Sequence, residues 1–400
     1  METAAQHEEI VIVGGGICGL ATALAFHRKG IRSRVLEKSE TLRTTGVGII
    51  IQSNGWRALD HLGVASMLRN TALCIHSGIH TSLGNCSKTK ELPMGGEIRC
   101  LKRIDLVKAL ASDLPLDTIQ FGKHVISIQE DPITSYPVLH LQDGSVVRPK
   151  IVIGCDGVNS IISTILGPYS TKLSPTSVVR GFSYVRNGHD YGSTYHVFSN
   201  VKHVKIGIFP VTSELIYWFV IRRWTSEDSK ISRDRMLIKE STVELLKNFP
   251  QEIVELIEYS DLESLHLTDL RYRSPWEVLT TNFRKGTMTV AGDAMHAMCP
   301  FLAQAGSASL EDAVVLARCL GEKLQSKAMA DTRVKEMVEE GIDEYLNKRK
   351  MRVFWLCLQT DLVGRVIQPS SLPMKLLSAF FLTILFSDPN QHTRYDCCES

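Results

Sequence analysis

The sequence lacks the features that mark several large classes of protein. It has no excess of one charge, since 45 lysines and arginines stand against 43 aspartates and glutamates. Its overall charge therefore gives no sign of a nucleic-acid partner or of an acidic membrane surface. Glycine and proline, at 28 and 14 residues, are at ordinary levels and exclude a collagen-like chain. No internal repeat is evident. What remains is a globular chain of 400 residues, 44% hydrophobic, long enough for two or three domains of ~150 residues each.

Paired cysteines and a targeting segment are also missing. The ten cysteines are scattered and form no C-x-x-C pair, which argues against a zinc ribbon, a redox pair or a disulfide framework. We predict no metal site and reduced thiols. Residues 1–9 contain acids and no apolar run of the kind a signal peptide carries. We therefore expect a cytoplasmic protein.

Long apolar runs are absent, with one partial exception near the C-terminus. Residues Met374 to Phe386 are apolar almost throughout, yet this segment is shorter than the ~20 residues that a membrane-spanning helix needs. Two interpretations stay open. The segment is either a helix packed on the body of the protein or on a partner, or a surface that touches a membrane.

The clearest pattern present is a strand, a glycine turn, a helix and a second strand near the N-terminus. Ile10 to Val13 is a β-branched apolar run, Gly14 to Gly19 is rich in glycine, and a helical pattern then continues to Lys29. A second apolar run leads to Glu37. This order predicts the βαβ unit that wraps a dinucleotide.

The glycines of this unit match G-x-G-x-x-G. The chemistry requires a tight turn at Gly14, close approach to a pyrophosphate at Gly16, and contact between helix and strand at Gly19. Glu37, at the end of the second strand, can accept hydrogen bonds from both ribose hydroxyls. Lys38, the next residue, joins the candidate cofactor-binding residues. The motif predicts dinucleotide binding but does not distinguish FAD from NAD.

The rest of the chain alternates between two kinds of pattern. Residues 119–148 and 177–224 show the alternation typical of antiparallel strands, whereas 150–154 and 286–291 are short apolar runs typical of buried strands. Helical patterns occupy most of 234–259, 310–324 and 332–358. The resulting order is a nucleotide-binding half, a β-rich insertion, a return to the first half, and a helical tail.

Two later motifs resemble those of the single-component (class A) flavoprotein monooxygenases, the family that includes salicylate and para-hydroxybenzoate hydroxylases. Cys155 to Ser160 resembles the family's D-G motif, and Gly292 to His296 resembles its second FAD motif. Matching positions run in order along nearly the whole chain, namely Gly46 to Ile49, Asn54, Arg103 to Leu106, Pro300, Gln304, Gly306 and Leu310 to Ala313. Tyr395 to Cys397 resembles the plant monooxygenase-1-like subgroup.

The resemblance implies an α/β fold like that of para-hydroxybenzoate hydroxylase. A Rossmann-like FAD-binding domain is expected from 8–164 and 276–326, a β-sheet substrate domain from 165–275, and a helical region from 327–400. The implied activity is NAD(P)H-consuming monooxygenation, in which a flavin C4a-hydroperoxide made from O₂ hydroxylates a small aromatic or other unsaturated substrate. NAD(P)H and O₂ are co-substrates.

The resemblance also implies roles for individual residues around the flavin. Asp293 is expected at the ribityl O3′, and Arg103 near the FAD phosphates or ribityl chain. Backbone amides from Pro300 to Gly306, a segment that includes Gln304 and leads into a helix near Ser309, are expected to face the flavin pyrimidine. His296 is expected to shape the flavin neighbourhood, and no side chain is assigned as catalytic acid or base.

Two further positions have two interpretations each. Asp156 either supports the FAD side of the fold and nicotinamide nucleotide binding, as in the family, or caps a helix ahead of Val158. Val125 corresponds to a position whose backbone meets the adenine, or it is a core valine.

Four positions depart from the family pattern. Ala303 and Ala305 stand where the family has glycine, Ser163 stands for an arginine, and Ala297 for a proline. A methyl group at a positive-φ glycine position costs ~1 kcal/mol or more. The changes at Ala303 and Ala305 keep open the alternative of a degenerate flavin-binding protein without monooxygenase activity. A second alternative is an isoprenoid or carotenoid-type epoxidase, because zeaxanthin epoxidase carries related motifs.

Overall fold

The computed structural model describes residues 10–42, 47–84, 87–167, 171–200, 204–324, 331–368, 371–386, 388 and 390–399. Gly46 of the predicted motif, and the predicted domain boundaries at 8, 326, 327 and 400, lie outside these residues. The strands are β1 (Ile10–Val13), β2 (Arg34–Leu36), β3 (Gly48–Ile51), β4 (Ser77–Ser82), β5 (Lys88–Pro93), β6 (Arg99–Lys102), β7 (Ile119–Gln120), β8 (Val125–Glu130), β9 (Pro137–Leu141), β10 (Val146–Val147), β11 (Ile151–Gly154), β12 (Lys172–Tyr184), β13 (Thr194–Ser199), β14 (Lys205–Pro210), β15 (Leu215–Arg223), β16 (His266–Tyr272), β17 (Arg284–Lys285) and β18 (Met288–Val290).

The helices lie between and after these strands. They are α1 (Ile17–Arg28), α2 (Ser53–Leu62), α3 (Ala65–Arg69), α4 (Arg103–Ser112), α5 (Ile161–Leu166), α6 (Asp228–Ile231), α7 (Arg235–Leu246), α8 (Gln251–Glu258), α9 (Pro275–Thr280), α10 (Asp293–His296), α11 (Ala305–Leu324), α12 (Asp331–Ile367) and α13 (Leu372–Leu385). Short 3₁₀ turns occupy Leu262–Ser264, Pro300–Leu302 and Gln391–Thr393.

One sheet carries the nucleotide-binding unit that the sequence predicts. Its strand order is β17-β18-β11-β1-β2-β7, and β1 pairs in parallel with both β2 and β11. All four residues of β1 are buried, as expected for a strand covered by helices on both faces. Because β11 and β18 are far from β1 in sequence, this sheet joins distant parts of the chain.

A second sheet lies against the first half of the molecule. Its order is β16-β12-β15-β14-β13-β4-β5, so it contains β4 and β5 from the N-terminal part of the chain. One face, which includes Trp218, packs in a core with residues of α7 and α8. The opposite face, which includes Tyr217, belongs to the core of the nucleotide-binding half. The β-sheet layer is therefore held between helices and the first half.

The helical layer closes the other side of the molecule. Helix α11 packs against α1, α2 and α12, and α13 packs on α12. None of the helices in the described ranges is long and apolar enough to span a bilayer. The two sheets and their covering helices confirm the α/β fold class.

Candidate functional site

The glycine turn between β1 and α1 has the geometry that its motif requires. Gly14 has φ of 105°, and a Cβ atom there would lie 2.5 Å from the carbonyl oxygen of Cys155. A Cβ on Gly19 would lie 1.9 Å from the carbonyl oxygen of Gly14. A Cβ on Gly16 would meet nothing within 4 Å among the described residues. The turn thus packs closely against the protein at Gly14 and Gly19, and it leaves open space beside Gly16.

The N-terminus of α1 is available to an anion. Its N-cap residue is Gly16, and no side chain of the described residues caps it. The first backbone N–H groups of a helix have no intrahelical acceptor, so they form a ready site for phosphate.

Glu37 is buried and fixes the glycine turn. Its Oε2 accepts a hydrogen bond from the N–H of Gly15 at 2.6 Å, and its Oε1 accepts one from the N–H of Ser39 at 2.9 Å. Carboxylate oxygens are also suitable acceptors for ribose hydroxyls. The sequence predicts the ribose contact but not the bond to Gly15. Lys38 is exposed beside it.

Asp156 follows β11 and lies against the glycine turn. A Cβ on Gly14 would come within 2.9 Å of its Cα. Its Oδ2 accepts a hydrogen bond from the N–H of Ile161 at 2.8 Å, while Ser160 is the N-cap of α5. Burial raises the pKa of Asp156, and a hydrogen bond with Ser160 opposes that rise. Its Oδ1 is buried and has no hydrogen-bond partner among the described residues.

The second predicted motif meets the first. Asp293 begins α10, immediately after Gly292, whose φ is 64°. A Cβ on Gly292 would lie 2.9 Å from the Sγ of Cys18 in α1. Burial raises the pKa of Asp293, and the charges of His296 and Arg103 act against it. Arg103 begins α4, where its N–H donates to the carbonyl oxygen of Val47 at 2.9 Å.

Val125 is the other predicted cofactor neighbour on this side. It is a buried residue at the start of β8. Just before it, the N–H of Lys123 donates to the carbonyl oxygen of Glu37 at 2.9 Å. The segment therefore passes the end of β2, and Val125 packs in the main core.

His296 belongs to a buried ionic network. Its Nε2 lies 2.6 Å from Oδ2 of Asp312, and the Nε of Arg349 donates to Oδ1 of Asp312 at 2.6 Å. The Nη1 of Arg349 lies 2.8 Å from Oε2 of Glu311. Burial would raise the pKa of Asp312, but the charges of His296 and Arg349, with hydrogen bonds from His296 and from the N–H of Gly292, lower it to about 2.

Arg349 is the member of this network that the sequence analysis misses. Ile342, Tyr345, Arg349, Val353 and Leu356 are buried residues of α12 at helical spacing. In the sequence, the sign of a buried ion pair is this single arginine within an otherwise apolar helical face. Buried arginine needs an acidic partner, and two consecutive acids occur in α11.

The segment from Pro300 to Gly306 is fixed to β3 and α2. Pro300 opens a 3₁₀ turn. Gln304 is buried, and its Oε1 accepts a hydrogen bond from Nδ2 of Asn54 at 2.8 Å. A Cβ on Gly306 would lie 2.7 Å from Ile49. Gln304 thus points to the Asn54 amide, and Gly306 allows close contact with β3.

The two alanines at family glycine positions have different conformations. Ala303 lies in the left-handed region, with φ of 52° and ψ of 33°. Ala305 is the first residue of α11, which begins before the predicted start near Ser309. Only the first alanine therefore occupies a position that favours glycine.

We expect Ala303→Gly to stabilise the protein by about 1 kcal/mol, because it removes the clash of Cβ with the left-handed backbone. Ala305→Gly is the matched control, and it should be neutral or destabilising by up to about 1 kcal/mol, since glycine is a weak helix former. Urea unfolding of both variants measures the difference. Equal effects of the two substitutions would contradict the strain at Ala303.

Ser163 occupies the position where the family has an arginine. It accepts a hydrogen bond from Arg273, which comes from another part of the chain. The Nη2 of Arg273 donates to Oγ of Ser163 at 2.8 Å. The N–H of Arg273 donates to the carbonyl oxygen of Ala297 at 2.8 Å. Two of the departures from the family pattern, Ser163 and Ala297, therefore contact the same residue. Burial lowers the pKa of Arg273.

The sheet face toward the nucleotide-binding half carries a row of aromatic rings. Tyr195 stacks on Phe209 with ring centroids 4.8 Å apart, and Phe209 lies 6.0 Å from Phe219. Tyr217 lies 6.1 Å from Phe219 and 6.0 Å from Phe182. These rings lie on four neighbouring strands, β12 to β15. The sequence predicts the strands but does not show that these rings share a face.

This aromatic face meets the predicted flavin loop. A Cβ on Gly48 would lie 2.4 Å from the ring of Tyr217. Phe219 packs in one cluster with Cys299 and Phe301, on either side of Pro300. A cavity of about 140 Å³ opens beside this cluster, with Tyr272 among its lining residues. The cavity combines apolar side chains such as Cys299 and Phe301 with polar ones such as Arg273 and Asp361.

Comparisons with known proteins agree with this geometry. The FAD binding domain family matches residues 7–352. The chain is 45% identical to Monooxygenase 1 of Arabidopsis thaliana over 394 residues, covering 97% of this chain and 98% of that protein. It is 34% identical to Monooxygenase 2 of the same plant over 389 residues, covering 95% and 94% of the two chains.

A solved structure shares the fold. HpxO of Klebsiella pneumoniae, complexed with FAD and uric acid, superposes with a TM-score of 0.78 and 18% identity, covering 98% of this chain and 95% of that one. The predicted resemblance to class A flavoprotein monooxygenases is confirmed. The chain belongs to the FAD binding domain family and is an FAD-dependent monooxygenase.

Proposed function

We propose that this enzyme hydroxylates a small aromatic or other unsaturated substrate, using O₂ and NAD(P)H. The observation that carries the proposal is the aromatic face of the second sheet, which meets the loop from Cys299 to Gly306. Aromatic rings pack against flat, electron-rich substrates by stacked and edge-to-face contacts. The same rings exclude water from the space beside the loop.

The residues at the other end of the site fit FAD. The open side of Gly16 and the uncapped N-terminus of α1 suit a pyrophosphate. The carboxylate of Glu37 at the end of β2 suits the adenosine ribose. The buried Oδ1 of Asp156 lacks a partner among the described residues. When bound, FAD would supply the redox chemistry, taking a hydride from NAD(P)H and activating O₂.

The chain's own residues would then bind and orient the cofactor and shield it from water. Asp293 would hold the ribityl chain, and Arg103 would offset negative charge near it. Backbone N–H groups at the start of α11 would stabilise negative charge on the pyrimidine side. Within the aromatic face, burial raises the pKa of Tyr217 to about 12. Its hydroxyl is therefore protonated at neutral pH and can donate a hydrogen bond.

The first test is a substrate screen with the purified yellow protein. Phenolic acids and apolar isoprenoids are added in turn, NADH and NADPH oxidation is followed, and products are identified by mass. We expect a phenolic compound to stimulate oxidation and to gain one oxygen atom. If the product is an epoxidised isoprenoid, the epoxidase alternative is correct and this proposal is wrong. A protein that cannot be reconstituted with FAD, or that holds flavin but never oxidises NAD(P)H, would overturn it.

A pair of phenylalanine variants tests the aromatic face. We expect Phe219→Leu to raise the KM for the aromatic substrate about tenfold, because it loses an aromatic contact of ~1 kcal/mol and part of its buried area. Phe198→Leu is the matched control, since Phe198 packs on the opposite face of the same sheet. Flavin content should be unchanged in both. A KM that responds equally to the two substitutions would contradict the assignment.

A further inference from the structure

Helix α13 presents its apolar side chains to solvent. The exposed large hydrophobic residues in it are Leu372, Met374, Leu376, Leu377, Phe380, Phe381, Ile384 and Leu385. The buried residue of the helix is Ser378, and Lys375 and Leu382 are half-buried. A helix on a water-soluble body normally turns its apolar stripe inward. In α13 the orientation is reversed, since a small polar side chain faces the protein.

The exposed apolar surface continues onto neighbouring aromatic residues. The ring of Trp355 in α12 lies 6.0 Å from Phe386 and 5.2 Å from Phe354. Trp276 lies 5.4 Å from Phe354 and is 63% exposed. Tryptophan is enriched where a protein meets the headgroup region of a bilayer, because its ring is apolar and its N–H is polar.

Lysines lie beside the helix. Burial lowers the pKa of Lys205 at the start of β14, and the charge of Lys375 in α13 lowers it further. Lys90 of β5 lies opposite His80 of β4 and is exposed. Burial lowers the pKa of His80, and the charges of Lys205 and Lys90 add to that effect. The apolar helix therefore borders lysine side chains on β5 and β14.

We propose that α13, with Lys90, Lys205 and Lys375, is a docking surface for an anionic lipid bilayer. The helix is too short to span a membrane, so it would lie in the plane of the headgroups with its leucines and phenylalanines inserted. Lys90 is exposed, and the half-buried Lys205 and Lys375 have side chains long enough to extend their ammonium groups to the headgroups. Each contact would strengthen binding about fivefold. A protein partner fits less well, because lysine is depleted from the centres of protein interfaces.

Sedimentation with vesicles tests the proposal on the full-length, FAD-loaded protein. One set of vesicles is phosphatidylcholine, and the other is an equimolar mixture with phosphatidylserine. We expect binding to the mixed vesicles and binding roughly 100-fold weaker, or none, to phosphatidylcholine alone. Leu377→Ser combined with Phe380→Ser and Ile384→Ser should abolish sedimentation. Lys90→Gln combined with Lys375→Gln should weaken it roughly 25-fold.

A matched control uses exposed apolar residues elsewhere. Leu116 and Ile133 are 100% and 92% exposed, so Leu116→Ser with Ile133→Ser should sediment like the wild type. Flavin content checks that every variant is folded. The proposal fails if the wild type stays in the supernatant with both vesicles, or if the α13 variant sediments normally. It also fails if the protein dimerises through α13 and binds no lipid.

Discussion

The Glu37→Ala protein is expected to bind FAD at least ~100-fold more weakly than the wild type and to lose its colour on purification. The substitution removes charge-assisted hydrogen bonds to the N–H groups of Gly15 and Ser39. Such bonds are worth about 1.5–3 kcal/mol each, and the ribose would lose its acceptor as well. Because the bond to Gly15 orients the glycine turn, the phosphate side of the site should weaken together with the ribose side. Titration of the apoprotein with FAD measures the affinity.

Glu40→Ala is the control for this prediction. Glu40 is an exposed acid of the same segment, and its removal should leave the affinity for FAD unchanged. Glu37→Gln keeps an acceptor oxygen and should give an intermediate affinity. If Glu37→Ala bound FAD as tightly as the wild type, the proposed position of the ribose would be wrong.

Arg349→Met is expected to destabilise the protein by about 3–5 kcal/mol. Arg349 is fully buried and pairs with both Glu311 and Asp312. Its loss leaves two buried carboxylates without their common cation. Removing one partner of a buried ion pair is strongly destabilising, because the remaining charge is buried without compensation. Arg365→Met is the control in the same helix, because the pair with Asp361 is partly exposed and is worth at most about 1 kcal/mol. Urea unfolding of the two variants measures the difference.

Acid pH provides a second measurement on the same network. The pKa of Asp312 is lowered from 3.8 to about 2 in the folded protein. A lowered pKa stabilises the folded state above the unfolded value, and this contribution is lost as the pH falls from about 4 to about 2. We expect the wild type to lose about 2 kcal/mol from this group over that interval. Arg349→Met should lose less, and an equal loss would indicate that Arg349 does not hold the carboxylate ionised.

The sequence predicts those parts of the site whose signals are local. The glycines at 14 to 19 and Glu37 lie within one βαβ unit, so spacing alone identifies them. Asp293 follows a buried strand and belongs to a recognisable motif. The assignment of these residues to FAD contacts stays a prediction, but the structure brings Gly292, Cys18 and the glycine turn together as that prediction requires.

The parts that the sequence does not reveal depend on pairing between distant segments. Strand β5 is mostly exposed and carries no apolar alternation, so nothing local shows that β4 and β5 extend the second sheet. Arg273 and Ser163 belong to different predicted domains. The spacing of residues in the sequence therefore does not predict their contact. For α13, composition shows an apolar helix but not which face it turns outward. That choice is made by packing against α12.

The contact between α1 and α11 has a consequence for protein synthesis. Helix α1 begins at Ile17 and α11 at Ala305. At the usual ~5–20 residues per second, α1 leaves the ribosome roughly 15 to 60 s before the helix that covers it. Ten of its residues are buried in the finished protein. The nascent chain therefore presents its first helix uncovered for much of translation, and we expect it to be a substrate for ribosome-associated chaperones until α11 emerges.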